Sequence, residues 1–249
     1  MGAQYAAAAK PDGYTILIHI VSISGFAEVD RLYGRPVKFT NADFIPIARF
    51  IADPMVLIVN DQQPFKTLQE FIAAAKARPN ELIFSSSGLH GALHLPTALF
   101  MNAAGIQMRH LPTNGGGPAL NALIGNNAQV LCSSIAAANV QMRAGKARAL
   151  ACFGAQRSAA WPDVPTLKEL GHNIEFYLWV GMFAPKGTPD AAVSVLREAA
   201  RKAAADETFV QAMRNLGQDV AYLDQPEFRA FWEADARRVV EAVRQIGKV

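Results

Sequence analysis

Short apolar runs rich in branched residues alternate along the chain with longer stretches whose apolar positions recur at helical spacing. The runs predict strands at residues 14–18, 44–50, 55–59, 83–85, 107–111, 129–133, 148–153 and 180–184. A turn or helix is expected at 25–33. Thr67-Leu68-Gln69-Glu70 is a capping-box pattern, in which the Thr oxygen takes the third amide and the Glu reaches back. Leu68, Phe71, Ile72 and Ala75 then share one helical face, and Pro79-Asn80 ends that helix. Further helices are predicted at 92–104 (closed by Gly105), 118–124, 136–144, 189–205 and 207–216. The last, at 226–246, carries the apolar stripe Phe228, Phe231, Trp232, Ala236 and Val239. Strands alternating with helices in this way predict an α/β fold with mostly parallel strands covered by helices.

Polar and glycine-rich punctuation falls at residues 60–64 and 184–189, natural places for the chain to cross between two lobes. On that reading 1–59 plus 180–249 form a first lobe and 60–179 a second. Composition narrows the function. Hydrophobic residues make up 51% of the 249 positions and charged residues 18%, enough apolar material for a packed core. The net charge is +3 with the basic residues dispersed, so a nucleic-acid partner is not expected. No apolar run approaches the length of a membrane span. The first twelve residues lack the charged start of a secretory signal, which taken literally places the chain in the cytoplasm. The two cysteines, Cys132 and Cys152, lie in strand-like apolar runs and read as small hydrophobes.

Candidate chemistry gathers in two loops. In Ser85-Ser86-Ser87-Gly88-Leu89-His90-Gly91-Ala92-Leu93-His94, a strand ends in small polar residues and a helix follows. In Leu111-Pro112-Thr113-Asn114-Gly115-Gly116-Gly117-Pro118, a strand meets a glycine-rich turn and then a helix. Free amides at a helix start carry partial positive charge and suit a carboxylate or phosphate. The second loop is neither a P-loop, since no Gly-Lys-Ser/Thr follows, nor a dinucleotide fingerprint, since Leu120 replaces the third glycine. His90 and His94 are spaced for one helical face. However, Gly91 follows the first His and no third ligand lies nearby, so no metal and no other cofactor is expected. Cys132-Ser133-Ser134 leaves a nucleophile reading open, without a recognisable elbow or base.

Several motifs together resemble the solute receptors of tripartite tricarboxylate transporters, the Bug or TctC-type family. They begin with Pro11-Asp12-Gly13-Tyr14-Thr15, Asp43-Phe44 with Pro46, and Pro64 with Thr67-Leu68 and Glu70. Ser87-Gly88 with His94-Leu95 and Gly115 through Leu120 follow, then Ala144-Gly145-Lys146 with Arg148-Ala149-Leu150-Ala151, and Arg157. Pro162 through Leu167 with Glu169 and Gly171, and Trp179 with Gly181 and Ala184-Pro185, complete the set. They run in order over nearly the whole chain.

The resemblance implies a two-lobed, type II periplasmic-binding-protein-like α/β architecture, a ligand cleft and a hinge. It implies a receptor, not an enzyme, that takes a small carboxylate or amide in the periplasm and hands it to membrane transporter subunits without entering the membrane. The expected ligand contacts are Ser87, Gly88, His90, Thr113, Asn114, Gly115, Gly116 and Gly117, with Ser133 and Ser134 at another strand end. Ser22 and Ser24 are expected to reach the ligand from the first lobe.

Three departures from the family pattern are visible. A signal peptide, a strand, a glycine-rich ligand loop, a helix and a second strand usually precede the match at Gly2, so the first lobe is expected to be incomplete and prone to self-association. The usual Gly-Ser at the helix start is His90-Gly91. Thr113-Asn114 replaces Tyr-Lys, and Gln129 stands for an Asp, which predicts an altered pocket. Two competing readings remain, a hydrolase using Cys132 or Ser133 and a non-functional truncated relic.

Overall fold

The computed structural model describes residues 2–249. In chain order the elements are α1 (Gly2–Ala7), β1 (Leu17–Ile20), α2 (Phe26–Leu32), β2 (Phe44–Pro54), β3 (Val56–Asn60), α3 (Leu68–Ala77), β4 (Ile83–Ser86) and α4 (His94–Ala104). They continue with β5 (Arg109–Pro112), α5 (Gly116–Ile124), β6 (Val130–Ser133), α6 (Ile135–Arg143), β7 (Ala147–Cys152), β8 (Tyr177–Pro185), α7 (Asp190–Ala205), α8 (Glu207–Asn215) and α9 (Gln225–Ile246). Short 3-10 turns occupy Val21–Ser24 and Asn41–Asp43.

The chain forms two compact units. One comprises Met1–Ala52, Leu178–Asn215 and Asp219–Val249, and the other Asp53–Tyr177 and Leu216–Gln218.

The first unit is built on a three-stranded sheet in the order β1-β8-β2, with β1 antiparallel to β8. It buries a cluster of Ile47, Ala48, Ala184, Val193 and Ala200 and, separately, an aromatic wedge of Trp179, Phe183, Phe228 and Trp232. The wedge closes onto the backbone at Gly181, where an added Cβ would lie 2.4 Å from Phe228 Cζ. Buried in the same region, Trp179 Nε1 donates to Asp235 Oδ2 at 2.8 Å. The Pro11-Asp12-Gly13-Tyr14-Thr15 motif is a turn, not the start of a strand. The Tyr14 amide donates to Asp12 Oδ1 at 3.0 Å, and Gly13 has φ +88° with Ala192 packed against it. This turn moves β1 three residues beyond its expected start and leaves Tyr14 exposed. Helix α1 was not anticipated from the alanine-rich start; its buried face is Ala3 and Ala6.

The second unit is a five-stranded sheet in the order β5-β4-β6-β3-β7. Every residue of β3 is buried, as a continuous apolar run with Asn60 at its end predicts for a strand covered on both faces. Strand β4 pairs parallel to β5 and β6, while β3 pairs antiparallel to both β6 and β7. Four of the five strands therefore share one direction, and β3 is the exception inside a mostly parallel sheet. The capping box forms as the sequence predicts. The Glu70 amide donates to Thr67 Oγ1 at 3.2 Å, and the Thr67 amide to Glu70 Oε2 at 3.4 Å. Helix α4 ends at Gly105 in the left-handed region, φ 61° and ψ 43°.

A candidate anion site at the ends of parallel strands

Parallel pairing places the candidate loops side by side. The register sets Ser86 against Pro112 as β4 and β5 end, and sets Ser85 against Leu131 on β6. The turns after β4, β5 and β6 therefore leave the same edge of the second unit's sheet, where open α/β folds hold ligands.

Hydrogen bonds lock the first two turns together. The Thr113 amide donates to the Ser86 carbonyl at 3.0 Å. The Thr113 hydroxyl lies 2.9 Å from both the Ser86 and Gly115 carbonyls, and its single proton serves one at a time. Gly88, at φ +118°, stands where an added Cβ would lie 3.6 Å from the Thr113 carbonyl. Ser85 Oγ donates to the Ala119 carbonyl at 2.8 Å and so ties β4 to α5.

Helix α5 supplies the donors. Gly115 precedes it at φ 122°, ψ 174°, a conformation open essentially to glycine alone, and no side chain caps the helix. The amides of Gly116 and Gly117 have no acceptor within the helix, and Pro118 has no amide to satisfy. Asn114, Gly116 and Gly117 are exposed, and Thr113 and Gly115 half-buried. Neither turn contains Lys, Arg, Asp or Glu. The site offers dipoles, not ions.

Behind the turns lies a stack of rings that sequence reasoning saw only in part. His110 on β5 stacks on Phe84, its register partner on β4, with centroids 4.6 Å apart and planes 9° from parallel. His94 packs against both, 4.4 Å from His110 and 5.8 Å from Phe84, and His90 meets His94 at 5.5 Å. Spacing of four pointed to the pair His90 and His94. It could not reveal His110, which only strand pairing brings in. The His90 amide donates to His94 Nδ1 at 3.3 Å. Ser86 Oγ lies 2.6 Å from His110 Nε2, 3.1 Å from the Gly88 carbonyl oxygen and 3.2 Å from the Gly88 nitrogen. Burial, reinforced by the other two histidines, lowers the His94 pKa from 6.5 to about 3. Burial with His90 nearby lowers that of His110 to about 4. Among the described residues no group of three or more His, Cys, Asp or Glu side chains is arranged to hold a metal ion.

The remaining expected contacts fall as follows. Ser87 is half-buried in the first turn. His90 is 3% exposed and sits in the left-handed region at φ 55°. Gly91 is held tightly, with a Cβ position 3.1 Å from Ser87 Oγ and 3.2 Å from the Gly88 carbonyl, so the serine usual in the family would crowd this turn. Ser133 is buried at the end of β6, and Ser134 caps α6 by accepting the Ala137 amide at 3.4 Å. Ser22 and Ser24 belong to the first unit, where both are buried and Ser24 Oγ accepts Trp232 Nε1 at 3.0 Å. Gln129 is not at the turns. Its side chain accepts the Ile83 amide at 2.9 Å, at the opposite end of β4, and so steadies the start of that strand. Cys132 is completely buried, and burial pushes its thiol well above the ordinary value.

Comparison with known proteins follows the same lines. A protein from the tcbD-tcbE intergenic region of Pseudomonas sp. strain P51 is 32% identical over 220 residues, covering 87% of this chain and 64% of the relative. A Rhodopseudomonas palustris protein solved with adipate superposes with a TM-score of 0.89 at 27% identity, covering 98% of this chain and 82% of that one. MatC from Rhodopseudomonas palustris, solved with bound malate, gives a TM-score of 0.86 at 26% identity, covering 97% and 83%. The family model described as "Tripartite tricarboxylate transporter family receptor" matches residues 1–248, and the chain belongs to that family, TctC.

Proposed function

We propose that the protein is a solute-binding receptor that captures a small organic acid, or its amide, on the paired turns of the second unit. The carboxylate is held by the Ser87 hydroxyl and the main-chain amides of Asn114, Gly115, Gly116 and Gly117, in a frame set by Gly88 and Thr113, whose own donors are engaged within the turns, and beside Ser133 and Ser134. The observation that carries this reading is the shared edge. Parallel β4 and β5 bring the serine turn into hydrogen bonding with Thr113, in the turn that leads into the uncapped start of α5. The adipate and malate complexes of the two relatives support an acid as the ligand class. The family supports a place in the periplasm and delivery to membrane transporter subunits. We also propose that no bond of the solute is broken. The deep burial of Cys132 supports this, since a thiol out of reach of solvent and held protonated is a poor nucleophile.

A thermal-shift screen with C4–C6 dicarboxylates, amino acids and aromatic acids tests the reading. A ligand at a hundred times its Kd adds about 2.7 kcal/mol of stability, or roughly 5–11 °C in Tm for a chain of this size. Stabilisation by a dicarboxylate is expected. A flat response to every acid and amide would remove the proposal.

A further inference from the structure

Ser86 Oγ has three polar neighbours, and their chemistry leaves one consistent arrangement. The Gly88 amide can only donate and the Gly88 carbonyl can only accept. The hydroxyl owns a single proton. Sent to His110 Nε2, that proton would leave two oxygen lone pairs facing each other at 3.1 Å across Ser86 and Gly88. Sent to the Gly88 carbonyl, it leaves Oγ with two lone pairs, one for the Gly88 amide and one for an N–H on His110 Nε2 at 2.6 Å. Every polar atom of the group is then satisfied. The ring has little freedom to do otherwise, with Phe84 stacked on it and His94 packed against both rings.

We propose that His110 is a positioning residue for the solute site: as the Nε2–H tautomer it fixes the Ser86 hydroxyl, and through it the 86–91 turn to which the Thr113 turn is hydrogen-bonded. This rests on the reading of the two turns as the acid-binding site, and it assigns the ligand grip to a layer the ligand does not touch. His94 completes the layer from α4. Its Nδ1 accepts the His90 amide and so pins the far end of the same turn.

The test compares His110→Phe, which keeps the stacking ring and removes the donor, with His110→Gln, which returns a side-chain N–H. Amide hydrogen exchange at Gly88 is read by NMR on the full chain, and affinity for malate and adipate by calorimetry. Loss of one oriented hydrogen bond is expected to speed Gly88 exchange about tenfold in His110→Phe and to weaken acid binding by a similar factor. His110→Gln is expected to restore both to within about threefold. Ser86→Ala should reproduce the His110→Phe behaviour, and serves in its place if the Phe variant fails to fold. Unchanged Gly88 exchange in His110→Phe or in Ser86→Ala, or no recovery with Gln, overturns the proposal. If the parent chain binds neither acid, the functional reading of the turns falls, while the exchange comparison still decides the role of His110.

Discussion

Acidification should weaken this protein through one buried ring. His94 is 2% exposed, and its pKa is lowered to about 3, whereas an unfolded chain holds histidine at 6.5. Between these values the unfolded state binds a proton that the native state refuses. Stability is therefore complete above pH 6.5 and drains away as pH falls toward 3. Each pH unit in that window removes about 1.4 kcal/mol, so a step from pH 7.5 to pH 5 should cost about 2 kcal/mol from His94 alone. His110, lowered to about 4 but half-exposed, shifts stability in the same direction. Urea unfolding at pH 7.5, 6 and 5, on the parent and on His94→Gln, isolates the effect, because other titrating groups are common to both chains. The parent should lose about 2 kcal/mol more than the variant between the extremes. Equal slopes would refute the reasoning, since they would mean that the imidazole protonates in the native state as readily as in the unfolded one.

Other substitutions test separate parts of the structure. Gly181→Ala places a methyl 2.4 Å from Phe228 Cζ and should destabilise the chain by about 1–3 kcal/mol in chemical denaturation. Gly115→Ala meets open space but an unfavourable backbone at φ 122°; a loss of about 1–3 kcal/mol in the melt is expected, together with loss of dicarboxylate-induced stabilisation. Thr67→Ala removes one half of the α3 capping box and should cost about 1 kcal/mol without altering acid binding.

Much of the fold was legible because its signals are local. The capping box at Thr67, the left-handed Gly105, the buried run of β3 and the stripe of α9 each follow from residues within a few positions of one another. The reversal of β3 was not legible, since an apolar run carries no direction and only its neighbours β6 and β7 settle it. The two site loops could be read as helix starts from their serines and glycines. That they adjoin depends on the β4–β5 register, a property of two distant segments. For the same reason Ser86 passed as one of three equivalent serines, and His110 as an ordinary strand residue. Tyr14 failed in the opposite sense: strand propensity favoured it, and the Asp12 side chain, bound to its amide, made a turn there instead.

The absence of Lys, Arg, Asp and Glu from both turns has a consequence for how such a receptor changes over time. Peptide nitrogens survive almost any codon change, so on the proposed reading a substitution that spares the backbone shape at Gly115 and the support behind the turns leaves the main-chain hold on an acid in place. What mutation reaches are the side chains around it, Asn114 and Thr113 among them. Selectivity can therefore drift from one solute to another faster than a main-chain grasp on a carboxyl group is lost.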